Sequence, residues 1–442
     1  MIPPTTESGT DMASQNAFRL WRDTNFLSLI FATLLSVIGD GSYFIILGWF
    51  VLSVTGSEFA LGTTLTFASI PRIVFMLLGG VVADRINRKL ILVTSLLARA
   101  LILGLFVAVL FGMHGKPALW LVDVMAVVFG TIDAFYYPAN SSVVPSAVPA
   151  HALARANSLV QTVQQMSTVL GPLLAAGLLW MRVYQGMFTT ISVIYAVSSV
   201  VLFFLRLRTG QQTSAQPKHK GPIFIWIDIR EGIRFVTSVR ILVLVMIVSL
   251  GINLLFMGPI NIGIPILVKS MGWSGSTYGS YESGFGVGTV VGGIFVSILG
   301  GFRGKFLLLG VLGSMMGVAM AGIGFVHVPW GGIALMGVMG ITVSVVNIPF
   351  ITYIQTIVPG DKLGRTMSLL SLMSVGLVPI SYTASSFVLQ QHQIGAPGLL
   401  LGCGITMALL FASLYLFQDF RQVESHPLWR AQTSESTGNE AG

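Results

Sequence analysis

The sequence predicts an all-α membrane protein whose twelve transmembrane helices form two similar six-helix halves. Three observations carry that expectation. Hydrophobic residues make up 54% of the 442 and charged ones 9%, with mean hydropathy +0.84, a balance that would coat a water-soluble fold in apolar surface. Apolar runs of at least about 18 residues, enough to cross a hydrocarbon core roughly 30 Å thick as helix, recur along the chain. Finally, Val148-Pro149-x-x-x-Leu153-x-Arg155-x-x-Ser158-Leu159 returns 210 residues later as Val358-Pro359-x-x-x-Leu363-x-Arg365-x-x-Ser368-Leu369. Each copy lies in a short polar gap between apolar runs, so the six shared residues mark a parallel internal repeat.

The runs lie at about 26–53, 59–83, 90–112, 119–141, 158–180, 187–205, 241–268, 278–299, 305–326, 331–357, 367–389 and 398–418. With the N-terminus in the cytoplasm, 19 of the 24 Lys and Arg fall on the inner side and only Lys116, Arg182 and Lys269 outside. This positive-inside bias places the chain as a multi-pass protein of a plasma membrane, the inner membrane of a bacterium, with both termini cytoplasmic. The first run is too long for a signal-peptide core and is expected to stay as an anchor.

Five segments follow: a cytoplasmic N-terminal segment 1–24, a first six-helix half 25–207, a cytoplasmic linker 208–239, a second half 240–420 and a polar, disordered cytoplasmic tail 421–442. In the linker, Trp226, Ile229, Ile233 and Val236 share one helical face and Asp228, Glu231 and Arg234 another, which predicts an amphipathic helix at the inner membrane surface. The fifty glycines suit close packing of helices in lipid. The prolines Pro259, Pro265, Pro349 and Pro379 are expected to bend helices of the second half.

Several function classes are excluded or weakened. The single cysteine, Cys403, permits neither an internal disulfide nor a metal cluster. None of the six histidines stands in a His-x-x-x-His or Ser-His-Asp spacing, so no enzyme, cofactor or metal is expected. The net charge of +8 is dispersed over loops, which fits membrane topology and not nucleic acid. No Gly-x-x-x-x-Gly-Lys-Ser/Thr phosphate loop occurs, so this chain alone cannot use ATP.

Between the second and third runs stands Gly80-Val-Val-Ala-Asp84-Arg85-Ile-Asn87-Arg88-Lys89. It resembles the loop signature of the major facilitator superfamily, a glycine, then Asp-Arg, then a basic pair. The resemblance implies that fold and assigns to Gly80, Asp84, Arg85, Arg88 and Lys89 a latch on the inner side that opens during transport. Asn87 replaces the usual glycine and is expected to tolerate left-handed turn geometry. The counterpart in the second half, Gly300-Gly-Phe-Arg303-Gly-Lys305, lacks the acid. Asn25-Phe26, Gly39-Asp40, Thr55-Gly56-Ser57, Pro71-Arg72 and Ala156-Asn157-Ser158-Leu159, in that order, make the chain similar to the branch that includes macrolide efflux proteins and enterobactin-type siderophore exporters. Gly171-Pro172 in the fifth run is similar to the Gly-Pro motif of drug-proton antiporters. The arginine motif carried by helix 4 in many proton-coupled members is absent.

Charges at bilayer depth cost about 2.5–3.5 kcal/mol each even on the lenient insertion scale, so those present are candidates for transport or for fixing packing. Asp40 and Arg72 lie at comparable depth in runs 1 and 2 and form one candidate pair, Arg99 and Asp133 in runs 3 and 4 a second. Phe135, Tyr136 and Tyr137 are candidate cavity walls, Tyr137 equally an interfacial anchor. Glu282 in the outer third of run 8 is a candidate proton acceptor, or a hydrated helix end. Asp123 is expected to be solvated. Asn253 and Asn347 are candidates to line a central cavity or to bond between helices.

The expected function is a secondary active transporter working by alternating access, a proton-coupled exporter of a hydrophobic or amphipathic small molecule. Its partners would be that substrate, protons and the lipid bilayer, with the chain acting as a monomer. Alternatives are export of a siderophore or lipid-like substrate and, in another class, a non-transporting membrane sensor or assembly partner.

Overall fold

A computed structural model describes residues 23–85, 87–113, 117–149, 152–205, 230, 233–234, 236–298, 307–391 and 394–422. The first half consists of α1 (Thr24–Thr55), α2 (Glu58–Arg85), α3 (Arg88–Gly112), α4 (Leu119–Ala147), α5 (Leu153–Trp180) and α6 (Tyr184–Phe203). The second contains α7 (Arg240–Gly258), α8 (Ile264–Ser270), α9 (Gly275–Ile298), α10 (Leu308–Ile323), α11 (Pro329–Ile357), α12 (Gly360–Gly376), α13 (Val378–Gln390), α14 (Gly395–Ser413) and a short α15 (Gln418–Arg421). Helix therefore overlies every run read from the sequence.

Nine segments among the described residues are long and apolar enough to cross a membrane. The other runs fall short for visible reasons. In α2 the side chains from 76 onward lie outside the described residues, and the first half of α5 carries Arg155, Asn157, Gln161, Gln164 and Gln165. Helix α10 has 16 residues, and 299–306 before it lie outside the described residues.

Local chemistry fixes the ends and breaks. Asp23 caps α1 by accepting from the Asn25 and Phe26 amides, and Gly56 ends it at φ 67, the left-handed cap that glycine adopts without strain. Asn87 is not left-handed: at φ −57 its side chain accepts from the Lys89 amide and caps α3, so a capping residue replaces the expected turn residue. Pro259 opens a π turn, Pro259–Gly263, between α7 and α8, Pro265 stands in the first turn of α8 and Pro379 in that of α13, so three of the four prolines sit at breaks. Pro349 stays inside the continuous α11. The repeat explains paired turns: the Val148 amide bonds Val144 O and the Val358 amide bonds Ile354 O, each valine is extended and buried, and a proline follows. Most of the amphipathic linker falls outside the described residues.

Packing follows the same repeat. In the first half α1 rests on α5 and α6, α2 on α4, and α3 on α4 and α6. In the second, α7 rests on α13 and α14, α9 on α11, and α10 on α11 and α14. The halves meet along two seams, α5 against α9 and α2 against α13. Leu101 and Leu105 of α3, Val197 and Val200 of α6 and Val311 and Val318 of α10 are exposed, which suits a lipid-facing periphery.

Helices touch through small residues. Gly41 and Gly171 bring α1 and α5 together, and Ser42 donates to Gly171 O at 2.8 Å. Where α2 crosses α4, a Cβ on Gly130 would lie 2.0 Å from Ala68 O. Gly130→Ala is therefore expected to force the two helices apart at roughly 1–3 kcal/mol, read as a lowered melting temperature of purified protein in detergent. Gly177→Ala, whose Cβ would meet nothing within 4 Å, should leave the melting temperature unchanged.

Candidate functional site

Four charges from four helices of the first half form one chain. Arg99 of α3 has no exposed surface and lies between two carboxylates, its Nη1 2.7 Å from Asp40 Oδ1 of α1 and its Nη2 2.6 Å from Asp133 Oδ1 of α4. Arg72 of α2 continues the chain, Nε to Asp133 Oδ2 at 3.1 Å. With both acids ionised the four groups sum to zero, which is what makes their burial tolerable. From α6, Tyr195 donates its hydroxyl to Asp40 Oδ1 at 2.6 Å. The rings of Tyr136, Phe129 and Tyr195 surround the Arg99 guanidinium with centroids 4.6, 5.1 and 5.5 Å from its Cζ, so aromatic faces replace water around the cation. Arg99 Nε alone has no hydrogen-bond partner.

The two acids differ. Asp133 holds two guanidinium groups and its side chain is 11% exposed, whereas Asp40 holds one and is 27% exposed. Arg72, at 38%, is the open end of the chain, with its Cζ 6.0 Å from the Tyr137 ring.

The structure joins Arg99 to Asp133 but does not pair Asp40 with Arg72. Asp40 faces Arg99 and Arg72 faces Asp133, with α2 lying against α4. Tyr136 is buried beneath Arg99 and so walls no cavity; Phe135 stacks on Phe75; Tyr137 is exposed. Asp123 is not merely solvated, since it accepts from Thr64 Oγ1 between α4 and α2. Asn253 bonds Ser249 O within its own helix, and Asn347 is exposed on α11. Gly80, Asp84 and Arg85 end α2, but their side chains lie outside the described residues; Arg88 opens α3, and Lys89 lies 5.7 Å from the Phe203 ring. Pro172 is buried in α5 beside the Gly41–Gly171 contact.

Sequence reasoning missed Tyr195. The available signal is polar spacing on α6: Ser192, Tyr195, Ser198 and Ser199 recur on one side, and the three serines donate to Ala100 O, Ala32 O and Val93 O of α3 and α1. That stripe fixes α6 against the two helices that present Arg99 and Asp40.

Contacts between the halves gather on the side of the bundle that carries the α1–α2 turn. Lys269 Nζ of α8 donates to Leu52 O near the end of α1 at 2.6 Å, Trp49 stacks on Tyr278 of α9, and Thr66 bonds Thr383 between α2 and α13 at 3.2 Å. Toward the opposite end of α5, Asn157, Gln161 and Gln165 are exposed.

A bundle of two repeated helical halves with a neutralised ion chain inside one of them has the build of a membrane transporter and not of an enzyme. The chain belongs to the Major Facilitator Superfamily, whose model matches residues 29–381. Macrolide efflux protein A of Streptococcus pyogenes is 26% identical over 343 residues, 75% of this chain and 81% of that protein. Macrolide efflux protein A of Enterococcus faecalis is 26% identical over 333 residues, 73% of this chain and 98% of that protein. Among solved structures, the nucleoside transporter NupG superposes with a TM-score of 0.68 at 11% identity, covering 90% of this chain and 98% of that one, a likeness of fold.

Removing the central cation tests the chain. Arg99→Met leaves Asp40 without a cation and is expected to destabilise by about 3–5 kcal/mol, as when one partner of a buried pair is lost. Thermal melting of the purified protein should show a large drop, a small one for Arg72→Met at the open end, and partial recovery in Asp40→Asn with Arg99→Met.

Proposed function

We propose that this protein is a secondary active exporter that moves a hydrophobic or amphipathic small molecule, macrolide-like in character, outward across a bacterial inner membrane in exchange for protons. The observation that carries this reading is the buried chain Asp40–Arg99–Asp133–Arg72. It is neutral as it stands, so one added proton unbalances it, and a unit charge without a partner inside the bundle favours rearrangement of the helices that hold it. Asp40 is where a proton enters, because its side chain is the more open of the two acids and its release frees one cationic contact where Asp133 would lose two. Protonation there weakens its hold on Arg99, and Arg99 leans further on Asp133. The strain falls on α1 and α3, and α1 carries Trp49 and Leu52 to the seam with the second half.

With both termini cytoplasmic, the side carrying the α1–α2 turn is the outer one. The Lys269, Trp49 and Thr66 contacts then close the halves outside, while exposed polar residues on the inner part of α5 suit a cleft open to the cytoplasm, where cargo for export loads. The similarity to macrolide efflux proteins supports an amphipathic cargo and the outward direction.

Two experiments follow. In cells, Asp40→Asn is expected to abolish protonophore-sensitive extrusion of fluorescent lipophilic compounds and macrolides; extrusion that survives both the substitution and the protonophore would remove proton coupling through Asp40. In a Cys403→Ser background carrying Trp49→Cys, Lys269→Ala is expected to speed labelling by a membrane-impermeant maleimide several-fold, because the α8 ammonium no longer holds the carbonyl end of α1. Unchanged labelling would exclude Lys269 from the outer closure.

A further inference from the structure

The proposed chemistry leaves unused one acid that has a buried oxygen without a hydrogen-bond partner. Glu282 lies on the stripe of α9 that faces the other half: Gly275, Gly279, Glu282 and Gly286 succeed one another at helical spacing. A Cβ on Gly275 would meet Trp49 Nε1 at 2.6 Å, one on Gly279 the Ala176 Cα at 2.6 Å and one on Gly286 the Thr168 carbonyl oxygen at 1.9 Å. All three neighbours belong to the first half, whereas Gly284, Gly288 and Gly292 turn to Ile333, Gly337 and Ile341 of α11. Near-contact of backbones on both sides of Glu282 therefore holds its carboxylate in the α5–α9 seam, level with Pro172.

The surroundings offer acceptors and aromatic faces. Among the described residues, Oε1 of Glu282 is buried with no hydrogen-bond partner, and no ion pair reaches it. Arg72 and Arg99 are bonded to Asp133 and Asp40, and Lys269 to Leu52 O. Pro172 supplies no amide to Thr168 O, which leaves that carbonyl of α5 without its usual helical donor beside the same seam. Tyr278, one turn from Glu282 on the same face, stacks on Trp49, and Tyr382 of α13 lies within electrostatic reach of both Glu282 and Arg72.

A half-buried carboxylate with an unpartnered inner oxygen favours a proton or a cation, and aromatic faces favour a cation of diffuse charge. We propose that Glu282, with the rings of Tyr278 and Tyr382, recognises the positive charge of the cargo, so that the preferred substrate is a lipophilic monocation such as a protonated amine. This rests on the export reading for its role in transport, but the binding site itself is testable without it. As the halves part, the seam opens beside Glu282, and a cationic cargo supplies the charge the site lacks.

The test is equilibrium binding of tritiated tetraphenylphosphonium and of neutral triphenylphosphine oxide to the purified full-length protein, as wild type, Glu282→Gln and Glu282→Asp. Each variant is first checked for monodisperse elution and an unchanged melting temperature. Losing a charged contact predicts about 10–100-fold weaker binding of the phosphonium to Glu282→Gln, an intermediate loss for Glu282→Asp, and neutral-probe binding within about twofold of wild type. Unchanged phosphonium binding by Glu282→Gln overturns the proposal, and so does an equal loss of both probes, which marks Glu282 as a support of the seam only. Should Glu282→Gln not fold, Glu282→Asp and Tyr278→Leu decide by the same comparison. Failure of cells to extrude any macrolide would overturn the export reading and leave this binding result standing.

Discussion

A guanidinium with no exposed surface in the middle of a helix bundle restricts everything around it. Arg99 can be buried only because Asp40 and Asp133 reach it from two other helices and three aromatic rings cover its faces, and each of those groups is held by something further out. Asp133 is shared with Arg72, and Asp40 is held by Tyr195. Five of the six helices of the first half thus converge on one cation. The sixth, α5, joins α1 through the Gly41–Gly171 contact and the Ser42 hydrogen bond.

The second half is built differently. Among the described residues it has no internal salt bridge, and its helices approach through glycine: α9 on α11 through Gly284, Gly288 and Gly340, α10 on α14 through Gly313, Gly317 and Gly404. Dispersion contacts between close backbones have no preferred protonation state, whereas an ion chain does. On the proposed reading, the proton that moves the halves therefore enters the ion chain of the first half, and the second half brings only Glu282, at the seam.

Much of this was legible in the sequence because lipid imposes simple rules. Apolar runs, the repeat at Val148 and Val358, and the rarity of charge within the runs identify the fold and single out Asp40, Arg72, Arg99 and Asp133. Partner choice was not legible. Depth along a helix places Asp40 level with Arg72, but the side of the helix from which each side chain leaves decides contact, and Asp40 reaches Arg99 while Arg72 reaches Asp133. Tyr195 escaped because a tyrosine in an apolar run has no charge to betray it, although Ser192, Ser198 and Ser199 mark its side of α6. Asn87 was read for its backbone tolerance and acts through its side chain. For Asn253 and Asn347 the run told only that a polar group lies there, not that the first bonds Ser249 O of its own helix and the second is exposed on α11.

The seams carry the repeat into the interface between halves, and their one inequality is informative. Ala176 of α5 and Ser386 of α13 stand 210 residues apart, the offset of the repeat, and each receives a glycine from the opposite half, Gly279 and Gly62 respectively. Two equivalent seams with equivalent glycines would let the halves rock about the bundle axis with little preference for either side. The seams differ in what lies next to those glycines. One bonds Thr66 to Thr383, a neutral contact that closes on itself. The other carries Glu282, whose inner oxygen has no partner among the described residues. A neutral hydrogen bond between threonines is made or broken at small net cost, but an unmatched carboxylate sets a much larger energy difference between closed and opened seam. On the proposed reading, the α5–α9 seam is therefore the one whose opening depends on what arrives from outside the chain.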